Sequence, residues 1–391
     1  MIFQYLLRGS SPLEELQPDE CISRQVYLAS ALLVCRTWYH SGVAMLYSRP
    51  IFYLSSANLL VRALRQRDDL SSCVRTIFLM IPPSFPRRAK APSRYVRDFV
   101  TILQTVPSIQ SLAMRSHPHR HDPDPPYFTK EAYLGVTLHP PQLQNLSRFV
   151  FDGHALSPDT LSHLSGAVFP LLEELSVIDR IVANSFVWPS CPSLTRLQFR
   201  SCRFINRNIT IRLPVSALKQ LDIDQSLSDE DDADISETLY PFASTLEVLR
   251  LDTVMFHGEI DFSRLTSVRH LSLFLNASSP PPLPLTVARI PELESLVLTC
   301  FGRVDDFSPW SIVERLISLL QSGKNELPVL RVLVIQAHSE EWHALPARKE
   351  QSSYLQALCD ARGIDLTLRD CCEFRHLLES SIGLTVLLSH R

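Results

Sequence analysis

The sequence predicts an α/β solenoid in which short, mostly parallel strands alternate with helices. Three observations predict it: a hexapeptide of the form L-x-x-L-x-L, with conservative apolar swaps, that occurs ten times, prolines placed just ahead of five of them, and helical spacing in between. Composition agrees. Of 391 residues, 61 are leucine and only 10 are glycine, which disfavours the glycine loops of nucleotide-binding enzymes. The net charge of −3 leaves no excess of cations to neutralise nucleic-acid phosphates or an anionic membrane.

The hexapeptides, in order, are VRTIFL from Val74, IQSLAM from Ile109, LSRFVF from Leu146, LEELSV from Leu172 and LTRLQF from Leu194. LKQLDI follows from Leu218, LEVLRL from Leu246, VRHLSL from Val268, LESLVL from Leu293 and LRVLVI from Leu330. Their starts lie 22 to 37 residues apart. In a strand, successive side chains alternate between faces, so positions four and six share one side and position one turns in beside them. Those three form the predicted core, and positions three, five and seven point to an open side. Pro107, Pro170, Pro192, Pro291 and Pro328 each stand two residues before a first apolar position. Proline cannot continue a helix and favours an extended residue before it, so it releases the chain into the strand.

Between strands, Val96, Phe99, Val100 and Leu103 fall on one helical face, as do Ile312, Val313, Leu316, Ile317 and Leu320. A unit this small cannot bury its apolar edge alone, so neighbours must stack into a curved sheet with helices on the outer side. The pattern resembles irregular leucine-rich repeats, whose units take about 20 to 29 residues. Longer spacings imply insertions. The Asn or Cys expected at the ninth repeat position occurs only as Cys202 and Asn276. The alternative is a non-repetitive α/β domain.

Residues 26–47, VYLASALLVCRTWYHSGVAMLY, place Leu28, Leu32, Cys35 and Tyr39 along one predicted helical face. Any solenoid must cover the open end of its core, and such helices would do so. VCRTW followed by an apolar-Leu-Tyr segment also resembles the second half of an F-box, and IFQYLL at residues 2–7 resembles the end of its first helix. A polar insertion, Arg8 to Gln25, lies between them. The chain starts inside that helix, without the Leu-Pro-x-Glu segment that usually opens an F-box, so the expectation is a partial F-box over residues 1–55 and a solenoid with a C-terminal cap over 56–391. The resemblance implies docking on a Skp-type adaptor of a cullin-RING ubiquitin ligase through Phe3, Leu6, Leu28, Leu32, Val34, Cys35 and Trp38.

Recognition of a target falls to the open side of the repeats. Arg196, Gln198 and Arg200 stand there, then Gln220, Asp222 and Asp224, then Val248, Arg250 and Asp252, then His270, Ser272 and Phe274. Mixed charge with an aromatic suits a protein or peptide more than a small-molecule pocket.

No familiar catalytic motif is present: the P-loop, G-x-G-x-x-G, G-x-S-x-G and H-E-x-x-H are all missing. His338 and His343 in HSEEWH are five apart, which does not put two imidazoles on one helical face. His117, His119 and His121 alternate among prolines and read as a loop. Adjacent Cys371 and Cys372 suit neither a mutual bridge nor zinc. The acidic run from Ser228 to Asp234 and the proline-rich stretch from Asn276 to Thr286 read as solvated loops. Nine cysteines without a C-x-x-C pair, no secretory signal and no apolar run near 18 residues point to a reducing interior, cytoplasmic, nuclear or both.

The expected function is therefore a non-enzymatic substrate-recognition subunit of a Skp-cullin-F-box ubiquitin ligase, with no cofactor, metal, nucleic-acid or membrane partner. The alternative is a leucine-rich interaction scaffold whose F-box remnant no longer works.

Overall fold

In the computed structural model all ten hexapeptides form strands, and each strand begins at the hexapeptide's third residue. Residues 18–81, 94–116, 143–152, 168–178, 181–182, 190–200, 202–204, 217–224, 227–228, 239–252, 260–276, 287, 290–301, 309–322, 327–337 and 346–370 are described. The first strands are β1 (Ile51–Tyr53), β2 (Thr76–Ile81), β3 (Ser111–Ser116), β4 (Arg148–Asp152) and β5 (Glu174–Ile178). Then come β6 (Ile181–Val182), β7 (Arg196–Arg200), β8 (Arg203–Phe204), β9 (Gln220–Asp224) and β10 (Leu227–Ser228). The last are β11 (Val248–Asp252), β12 (His270–Asn276), β13 (Ser295–Phe301), β14 (Val332–Ala337) and β15 (Asp365–Asp370). Twelve of these form one open, all-parallel sheet whose spatial order is the chain order, while β6, β8 and β10 form a small parallel sheet of their own.

Register follows the repeat. Glu174 pairs with Arg196, Arg196 with Gln220, Gln220 with Val248 and Val248 with His270, so like positions form continuous columns across the sheet. Positions one, four and six of all ten repeats are 5 % exposed or less. They belong to one cluster running from Val43 to Ile364. Burying each such leucine is worth roughly 1.5–3 kcal/mol, which is what makes the stacking cooperative.

The backbone adds a second lock. The carbonyl of each repeat's second residue accepts from the N–H groups of both the second and third residues of the next repeat. Gln110 and Ser111 donate to Arg75 in this way, Lys219 and Gln220 to Thr195, and Arg331 and Val332 to Glu294. Hydroxyls stitch the turns: Ser193 donates to the Pro170 carbonyl, Thr245 to that of Leu218 and Ser267 to that of Ser244. Cys202, at the ninth position, is buried and its thiol donates to the carbonyl of Val177 in the preceding repeat.

The helices are α1 (Pro18–Leu32), α2 (Arg36–Ser48), α3 (Ala57–Gln66), α4 (Asp68–Cys73), α5 (Arg94–Thr105), α6 (Pro309–Ser322) and α7 (Pro346–Arg362). Phe99 and Leu103 of α5 and Val313, Leu316 and Leu320 of α6 are buried in the same cluster as positions four and six. Helical and strand periodicities thus meet on one side of the sheet, as their spacing predicts.

The N-terminal helical segment departs from expectation in one respect. Leu28, Leu32, Cys35 and Tyr39 do not share one helical face, because α1 ends at Leu32 and Cys35 is extended, with φ −159° and ψ 165°. Cys35 caps α2 instead, its sulfur accepting from the Trp38 N–H. Leu28 and Leu32 are buried, and the Gln25 side-chain carbonyl accepts from the Ile51 N–H, so α1 is tied to the edge strand β1.

The candidate recognition face

The face opposite the main core is made of positions three, five and seven, and its character changes along the sheet. Over the first strands it is apolar: Phe78, Met80, Ala113 and Val150 are buried there, with Ile51, Tyr53 and Ile178 packed against them. This third of the predicted open side is a second, smaller core. The signal was present in the sequence, since VRTIFLM carries large apolar groups at positions five and seven as well as four and six.

From β4 to β12 the face turns polar. Arg148 and Arg196 flank Glu174, with Nη2–Oε1 and Nη1–Oε2 separations of 2.9 and 3.5 Å. One column over, Ser176 donates to the Gln198 carbonyl oxygen at 3.2 Å, and the Gln198 amide donates to Asp222 Oδ2 at 2.9 Å. Asp222 Oδ1 lies 3.9 Å from Arg250 Nε, and neither atom makes a hydrogen bond. The Arg250 guanidinium in turn sits 4.8 Å from the Phe274 ring centroid. Five consecutive strands therefore carry one connected row: hydroxyl, amide, carboxylate, guanidinium and ring.

The nine residues expected to meet a target hold register positions three, five and seven of β7, β9, β11 and β12, in adjacent columns. Their exposure differs. Arg196 is exposed, Arg200, Arg250 and His270 are half-buried, and Asp224 and Asp252 end β9 and β11. Gln198, Asp222 and Phe274 are buried, which corrects the expectation that they stand open to a partner. Strands about 4.8 Å apart press like positions against each other, and the row of contacts above closes over them. Glu174, Arg148 and Ser176 belong to the same polar band. Carrying the column register back two repeats would have found them.

Burial pushes the His270 imidazole below the usual histidine range, with Glu294 opposing, Arg269 reinforcing and Glu247 opposing that shift. Burial also pushes the Cys191 thiol up to about 12 and the Cys359 thiol up to about 11. Both stay protonated at neutral pH, so neither is an activated nucleophile. Beside the face, a shallow groove contains Lys219, Glu247, Arg269 and Glu292. Lys219 pairs with Glu247 at 3.2 Å and Arg269 approaches Glu294 at 4.0 Å, so the groove offers no cradle of a single charge sign.

At the other end of the molecule, Val26, Tyr27, Leu33 and Val34 are 56, 67, 85 and 66 % exposed. They are seven apart in pairs, Val26 with Leu33 and Tyr27 with Val34, and lie on α1 and the turn after it. Cys35 is exposed and Trp38 half-buried. Tyr39 is held by Arg67, whose Nη1 donates to its hydroxyl at 3.1 Å. Of the seven residues matched to adaptor contact, Val34 is one of these four, and Cys35 and Trp38 follow it in the chain. Leu28 and Leu32 are buried instead, on a helix that packs against α2 and β1. Phe3 and Leu6 lie outside the described residues, as do His117, His119, His121, His338, His343, Cys371, Cys372 and residues 229–234 and 277–286.

Fold and face together define an α/β protein of stacked, in-register strands with a polar band across one side of its sheet. The sequence matches no protein-family model and no curated protein. Among the described residues no three His, Cys, Asp or Glu side chains gather to hold a metal, and no helix is long and apolar enough to cross a membrane.

Proposed function

We propose that this chain is the target-recognition subunit of a Skp-cullin-F-box ubiquitin ligase. In this reading α1 and α2 belong to an F-box-like segment that meets the adaptor, and the sheet is a curved leucine-rich-repeat solenoid that receives the target. The exposure of Val26, Tyr27, Leu33 and Val34 carries it, because four large apolar side chains open to solvent within nine residues are the mark of a docking surface, and they run into the VCRTW segment. Leu28 and Leu32 are buried and belong to the helices' own packing, and Val26, Tyr27, Leu33 and Val34 do the docking. The polar band suits a protein segment, since its charges are largely matched within the band and leave shape and hydrogen bonding to discriminate. The chain supplies proximity, and other subunits transfer ubiquitin.

Co-elution with a purified Skp-type adaptor tests the reading. The parent chain elutes in complex, and a Leu33→Asp, Val34→Asp variant that retains the parent's circular dichroism elutes alone. A second reading, an interaction scaffold with a non-functional F-box remnant, is favoured by the burial of Leu28 and Leu32, which removes two matched positions from any partner. It predicts that neither protein co-elutes.

A further inference from the structure

We draw no further inference here: the strongest candidate, the pair of buried Asp222 and half-buried Arg250 at the centre of the sheet face, belongs to the candidate recognition face already described, and nothing in the structure shows what group would complete it.

Discussion

Removing the Asp222 carboxylate leaves the Gln198 amide and the Arg250 guanidinium facing a gap inside the sheet face. A buried donor stripped of a charged acceptor loses its hydrogen bond and keeps its desolvation cost. Asp222→Ala is therefore expected to destabilise the protein by about 2–3 kcal/mol in urea unfolding, and Asp222→Asn, which keeps shape and an acceptor oxygen, by clearly less. Equal losses would mean that the row contributes packing alone. His270 gives the face a pH dependence. Its imidazole is held below the unfolded value of about 6.5, so the unfolded chain binds the extra proton first and stability falls as pH drops through and below that value. His270→Asn should flatten the part of the melting-temperature decline between pH 7 and 5 that this residue causes. An unchanged slope would assign the decline to other groups.

At the scale of the element, the strand positions one, four and six are what the sequence states most plainly. Leu221→Ala in β9 removes a fully buried side chain, and a cost of about 2–5 kcal/mol is expected from thermal or urea unfolding. The ten strands were legible because one short pattern marks all of them. The two edge strands were not. Ile51 pairs with Phe78, which puts Pro50 where the repeat requires its fourth-position apolar residue. In β15 Leu366 and Leu368 hold positions four and six, but the first position is Gly363, at φ 72°, which ends α7 in a left-handed turn and breaks the pattern there. A Cβ at Gly363 meets no atom within 4 Å, so Gly363→Ala isolates the backbone cost, expected at about 1–2 kcal/mol. The break between α1 and α2 was hidden for a different reason: Leu32 to Cys35 is an unbroken apolar run, and cysteine is a weak cap that no propensity announces. The face itself was legible from strand alternation. Its burial was not, because it depends on which side chains of adjacent strands meet, and that is fixed only by the register between repeats more than twenty residues apart.

For the whole molecule, the N-terminal helices and the sheet are one packed unit, since Val43 of α2 belongs to the same core as Ile364 beside β15 and Gln25 holds the β1 edge. An open parallel edge pairs readily with other chains, so covering it matters beyond any docking role. We propose that α1, α2 and the turn between them dock on a Skp-type adaptor through Val26, Tyr27, Leu33 and Val34. Isothermal titration of the 391-residue chain with that adaptor tests it most directly. A dissociation constant of about 1 μM or tighter is expected, weakening at least about tenfold in a folded Leu33→Asp variant, a loss of about 1.4 kcal/mol or more. No heat of binding for the parent chain, or an affinity that Leu33→Asp leaves unchanged, would contradict the claim.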